Sequence, residues 1–205
     1  AKEIAISSGI PLGKMSCERF PDGEIAIELL ESVRGKHVYV VQSTADKPNE
    51  YWMELLILID ALRRASAGSI IAVIPYFGYC RQDRKDKPRV PITAKLVANL
   101  LTQAGVTRLV TMDLHAEQVQ GFFDIPVDHL YARPLMVDAI KTFGFKNGIV
   151  VAPDIGSVKI ARAYAEDLGV DFAIVDKHRF SASHVEVQNL IGDVQGKDVL
   201  LADDI

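Results

Sequence analysis

The chain has 205 residues, 49% of them apolar and 24% charged, a balance that buries a core and still dissolves, in a length that suits one large or two small domains. A formal net charge of −4 excludes a surface built to coat nucleic acid. The longest aliphatic stretch, Leu55 to Ile59, is far too short to cross a bilayer, and the first residues lack the basic-then-apolar order of a secretory signal, so a cytoplasmic protein with no membrane partner is expected.

In chain order, residues 1–8 read as a helix with no strand before it. Glu24–Leu29 alternates polar and apolar residues after the turn-like Pro21-Asp22-Gly23, the pattern of a hairpin strand set apart from a parallel core. His37–Gln42 is the first apolar, β-branched run. It is followed by the long helical segment Asn49–Arg64, nearly apolar all round, and by the run Ser69–Tyr76. Pro91–Ala104 starts on proline and stops at Gly105, as a helix does, before the run Thr107–Asp113. A short strand-like piece after Gly121-Phe122-Phe123 places a domain boundary near Pro126–Tyr131, giving domains 1–128 and 129–205. Beyond it come the run Gly148–Pro153, a helix over Ser157–Leu168 stopped by Gly169, and the runs Asp171–Asp176 and Asp198–Asp203. The six apolar runs suit strands buried on both faces, and their alternation with helices predicts an α/β fold with mostly parallel, doubly wound sheets. Ile74-Pro75-Tyr76-Phe77-Gly78 and Ala152-Pro153-Asp154-Ile155-Gly156 share a strand-end pattern that suggests two related halves. A buried parallel strand that stops at Ala202-Asp203-Asp204-Ile205 without a following helix, together with the missing first strand, marks the sequence as part of a longer chain.

Ligands of such sheets bind beyond the carboxyl ends of the strands, and the polar residues concentrate there: Asp113 and His115, Asp154, Asp176-Lys177-His178-Arg179, and Asp203-Asp204. Taken singly, each aspartate reads as a helix cap or turn residue; four strand ends together point to a ligand. Arg81 to Arg89 places five cations in nine residues, which suits a polyphosphate, although alone it reads as a solvated charged loop. It matches neither a P-loop nor a dinucleotide fingerprint. An isolated histidine packs in a core, but the place of His115 just after Asp113 favours a magnesium site that mixes carboxylate, water and phosphate oxygens. His37, His129 and His184 carry no assigned role, and Cys17 and Cys80, with no CxxC spacing, read as reduced thiols.

Arg19-Phe20-Pro21-Asp22-Gly23-Glu24, Ile74 to Tyr79, Arg81-Gln82-Asp83-Arg84-Lys85 and Met112 to Phe123 resemble the bacterial ribose-phosphate pyrophosphokinases, or PRPP synthetases. The resemblance continues through Pro153-Asp154-Ile155-Gly156, Asp176 to Arg179 and Ile191-Gly192-Asp193-Val194 to Asp203-Asp204, so it covers essentially the whole chain. It implies two tandem domains of the type I phosphoribosyltransferase fold, the second incomplete, in an oligomer of dimers reaching hexamers, with ATP bound between subunits. By the same resemblance Phe20 packs on adenine, Asp22, Gly23 and Glu24 form the nucleotide loop, Arg81 and Gln82 contact ATP, and Asp83 supports that loop. His115 and Asp154 hold magnesium, directly or through water. Lys177 and Arg179 are the flexible-loop pair that stabilises charge on the transferring phosphates, and Arg179, Asp203 and Asp204 serve ribose 5-phosphate. Four departures stand out: His178 where a third basic residue is common, Ser157 where a second glycine is frequent, Cys80 in place of a small residue, and the lack of the ribose-phosphate loop after Asp204. The alternatives are a non-catalytic regulatory relative, a fragment that only binds ATP, and a phosphoribosyltransferase that consumes PRPP. Intact Lys177, Arg179, His115 and Asp154 favour the enzyme over the first, and the Phe20–Glu24 and Arg81–Lys85 segments favour it over the last.

Overall fold

A computed structural model describes residues 1–145, 147–181 and 184–204, with side chains excepted over 177–188. The chain divides into two compact units, Ala1–Leu130 and Tyr131–Ile205.

The first unit opens with α1 (Lys2–Ser8), which buries no residue. The strands β1 (Met15–Arg19) and β2 (Ile25–Leu29) pair antiparallel as a sheet of their own, with Arg19 opposite Ile25. Their turn follows from its residues. Gly23 N–H donates to the Phe20 carbonyl at 2.9 Å, Glu24 N–H donates to Asp22 Oδ1 at 3.2 Å, and Gly23 takes φ 93°, where a side chain would be strained. The expected hairpin strand thus stands apart from the parallel core, with β1 as its partner.

Four strands, β3 (His37–Val41), β4 (Ser69–Ile74), β5 (Arg108–Met112) and β6 (Val127–Leu130), form a parallel sheet in chain order. Right-handed crossovers between neighbours taken in that order put α2 (Pro48–Arg64) and α3 (Thr93–Ala104) on the same face. Pro48 at the start, Glu50 in the first turn and Arg63 and Arg64 in the last suit the dipole of α2. Its sequence is apolar nearly all round, yet only the stripe Trp52, Leu55, Ile59 and Leu62 is buried, and Met53 is exposed. That stripe meets Val97, Ala98 and Leu101 of α3 and Val40, Ile70, Ala72, Ile74 and Leu109 of the sheet. Each large side chain buried there stabilises the unit by about 1.5–3 kcal/mol.

In the second unit the order is β10-β7-β8-β9, from β7 (Gly148–Ala152), β8 (Asp171–Ser181), β9 (His184–Ile191) and β10 (Asp198–Leu201). The helices are α4 (Arg133–Thr142), which buries Val137, and α5 (Val158–Leu168), which packs Ala161 and Ala165 against Val150 and Ala152. Strand β7 is buried at every residue. One expectation is corrected here. The run expected to end at Asp176 continues to Ser181, because β9 returns antiparallel beside it. Gly192, just past β9, lets the chain close onto β8, since a Cβ there lies 2.7 Å from that of Ala173.

Candidate functional site

In the first unit the candidate residues sit on three loops, each held by a polar contact from another element. The loop after β4 is held by Thr44, which is fully buried. Its hydroxyl donates to the Tyr76 carbonyl and accepts from Gly78 N–H, both at 2.7 Å. Gly78 has room for nothing larger, because a Cβ there is 2.9 Å from the Thr44 carbonyl oxygen and 3.1 Å from Trp52 Nε1. Tyr79 then takes φ 68°, and its hydroxyl bonds to Asn49. Arg81 is exposed, Gln82 is bonded to Thr93 and to Ala94 N–H at the start of α3, and Asp83 accepts from Gln118 Nε2 at 2.9 Å.

The hairpin turn with Phe20, Asp22, Gly23 and Glu24 projects from β1 and β2, and Phe20 is 54% exposed. Arg19 ties it to Glu50 of α2 at 2.8 Å. Asn49 and Glu50, neighbours in the first turn of α2, therefore anchor the loop that carries Arg81 and the turn that carries Phe20. Neither residue was a sequence candidate; a polar pair at a helix start reads as ordinary helix chemistry.

The third loop carries Asp113 and His115, both exposed. Asp113 takes φ 44°, a conformation that aspartate tolerates better than most residues. Leu114 N–H donates to His129 Nε2 at 2.9 Å, so His129 holds the backbone beside His115 and must be neutral to do so. Burial pushes the His129 imidazolium below its ordinary pKa of 6.5, against the opposing pull of Glu117 and Asp113. His129, given no role from sequence, is thus a support of this loop.

In the second unit, parallel neighbours β7 and β10 bring Asp154 and Asp203 together at their carboxyl ends. The link is Ser157, 1% exposed, whose hydroxyl bonds to Asp203 Oδ1 and lies 3.1 Å from Asp154 Oδ1. Asp204 N–H donates to Asp203 Oδ1 at 3.0 Å. Lys177 and Arg179 have their backbone in β8, and their side chains lie outside the described residues. A cleft of about 720 Å³ in this unit lies at the opposite end of the sheet, between Lys197, Asp171, Phe172 and Arg162, and none of the described candidate side chains lines it. Among the described residues no group of three or more His, Cys, Asp or Glu side chains is placed to hold a metal ion, and no helix is long and apolar enough to cross a membrane.

Residues 1–105 match the family model described as the N-terminal domain of ribose phosphate pyrophosphokinase, and residues 128–205 match the phosphoribosyl transferase domain. A ribose-phosphate pyrophosphokinase of Wolinella succinogenes is 60% identical over 203 residues, covering 99% of this chain and 66% of that protein. One from Helicobacter hepaticus is 57% identical over 205 residues, covering 100% and 66%. The crystal structure of phosphoribosylpyrophosphate synthetase from Mycobacterium smegmatis superposes with a TM-score of 0.90 at 40% identity, over 98% of this chain and 65% of that one. The chain therefore spans about two thirds of the length of these relatives, 66% in the two curated ones.

Proposed function

The chain belongs to the ribose-phosphate pyrophosphokinase family, and we propose that it carries the nucleotide side and part of the sugar side of an enzyme that transfers the β,γ-diphosphate of ATP to the anomeric hydroxyl of ribose 5-phosphate, giving PRPP and AMP. The observation that carries this reading is the meeting of Asp154 and Asp203 on one buried hydroxyl, Ser157 being 46 residues from Asp203. It sets a carboxylate suited to a cation beside one suited to sugar hydroxyls, at the sheet end where ligands of this fold class bind.

In-line attack on the β-phosphorus asks the protein to position two reactants and to neutralise growing negative charge. Phe20 offers an exposed ring for adenine, and Asp22, Gly23 and Glu24 supply polar groups at its edge. Arg81 and Gln82 meet the nucleotide from a loop that Asp83 braces. Asp203 and Asp204 bind the ribose of the acceptor. Lys177 and Arg179 add positive charge where the diphosphoryl group transfers, with Arg179 also reaching the sugar phosphate. Magnesium supplies charge neutralisation along the phosphates when bound. His115 in the first unit and Asp154 in the second would each serve as a magnesium ligand, directly or through water, and the lack of a three-residue protein cage among the described residues suits an ion that keeps several waters and arrives with substrate phosphates. The working form is a cytoplasmic homo-oligomer built on dimers and reaching hexamers, and the domain boundary is placed at 128/129.

The test is AMP release from Mg-ATP with and without ribose 5-phosphate. Sugar-dependent AMP with stoichiometric PRPP supports the assignment. ATP hydrolysis indifferent to the sugar, or no AMP at all, rejects it.

A further inference from the structure

Ser157 is the N-cap residue of α5, and serine at that position normally turns its oxygen onto the helix's own free N–H groups. Here it does not: the cap makes no side-chain hydrogen bond to the helix. The hydroxyl instead faces two carboxylate oxygens, Asp154 Oδ1 at 3.1 Å and Asp203 Oδ1, while its own N–H donates to Asp154 Oδ1 at 3.1 Å. A hydroxyl has one hydrogen to give, and two ionised carboxylates have none. The bond to Asp203 uses that hydrogen, and Asp154 Oδ1 is satisfied by the backbone N–H, so both aspartates are held by one residue that is 1% exposed.

We propose that Ser157 is a positioning residue that ties the magnesium-side carboxylate, Asp154, to the sugar-side carboxylate, Asp203, and so couples the binding of the cation to the binding of ribose 5-phosphate. Without the hydroxyl, Asp203 Oδ1 keeps only the Asp204 N–H at 3.0 Å, and the two carboxylates face each other across the vacated position. Asp203 then turns towards water, and the acceptor sugar and the cation both meet a less ordered site. A glycine at this position leaves the two carboxylates uncoupled. The contacts that make the tie all lie within the second unit. The proposal rests on the roles given above to Asp154 and Asp203.

The experiment compares wild type, Ser157→Ala and Ser157→Thr in the intact protein. It reads the KM for ribose 5-phosphate, the KM for ATP, the magnesium concentration at half-maximal rate, and the melting temperature. Loss of one charge-assisted hydrogen bond is expected to raise the sugar KM and the magnesium requirement of Ser157→Ala about five- to tenfold, with the ATP KM within about twofold of wild type. Ser157→Thr, which keeps the hydroxyl, restores both. Ser157→Gly removes the same oxygen and gives the same split if the alanine protein folds poorly. Wild-type constants in both hydroxyl-free variants, or sugar and ATP constants that shift alike, overturn the tie while leaving the enzyme assignment standing. A wild type without sugar-dependent AMP removes that assignment and the tie with it.

Discussion

Replacing Thr44 by valine keeps the shape of a fully buried side chain and removes its oxygen. Two backbone groups lose a partner. The Tyr76 carbonyl still accepts from Thr44 N–H at 3.1 Å, but Gly78 N–H, whose partner is the Thr44 hydroxyl at 2.7 Å, is left inside the core beside Trp52. An orphaned buried donor costs about 1–3 kcal/mol, and a methyl group placed where an oxygen stood at hydrogen-bond distance adds repulsion, so a loss of about 2 kcal/mol is expected. At a urea slope of about 2 kcal/mol/M this lowers the unfolding midpoint by about 1 M. Trp52 is the sole tryptophan, and its ring lies edge-on to Phe77 with centroids 5.1 Å apart, so its fluorescence reports the unfolding of this cluster. Thr44→Ser, which keeps the hydroxyl and loses one methyl, is expected to cost under about 1 kcal/mol. A Thr44→Val midpoint equal to that of Thr44→Ser refutes the argument that the hydroxyl holds this loop.

Arg81→Ala should raise the KM for ATP about tenfold and leave the melting temperature unchanged, because Arg81 is exposed; steady-state kinetics beside a thermal melt checks both. With the His129 pKa depressed in the folded state, the unfolded chain binds the extra proton first. The stability contributed by neutral His129 is therefore complete above about pH 6.5, falls as the pH drops below that, and levels off beneath the folded value. His129→Gln, which accepts from Leu114 N–H without titrating, should flatten that part of a pH series of urea melts. Removing the Arg108–Asp128 ion pair at the sheet edge, 2.8 Å long but 45% exposed at both side chains, should show a coupling under about 1 kcal/mol in a double-mutant cycle that shrinks further in salt. Local desolvation and the nearby Glu54 carboxylate push the Cys17 thiol up, so Glu54→Gln should speed its alkylation by iodoacetamide at pH 8.

The elements that could be read from the sequence are those whose signal is local. Runs such as Ser69–Tyr76 and Gly148–Pro153 are rich in isoleucine and valine because their strands are buried. The helix ending at Ala104 is marked by Gly105, and the turn after Phe20 by Pro-Asp-Gly. Strand β9 escaped because Val185, Val187 and Leu190 are separated by polar residues in an irregular rhythm, and its pairing with β8 shifts register twice. The candidate residues were visible as polar groups at strand ends. Their supports were not, since Thr44 and Gly78 are 34 residues apart and Ser157 and Asp203 are 46 apart, and a hydroxyl has no periodicity to betray its partner.

That division has a physical consequence for the site. The groups proposed to meet ligands in the first unit, Phe20, Arg81 and His115, are exposed, whereas Thr44, which holds the backbone of the Arg81 loop, and Ser157, which holds Asp203 in the second unit, are buried almost completely. An exposed contact residue gives up little folding energy when truncated, so its loss should appear in a binding constant alone. A buried support loses a satisfied hydrogen bond in the core as well, so its loss should lower stability together with the constant for the ligand on its own loop. Arg81→Ala against Thr44→Val separates the two behaviours on the nucleotide side. If both variants lower the melting temperature equally, the Arg81 loop is held by its charged contacts and not by the buried hydroxyl beneath it.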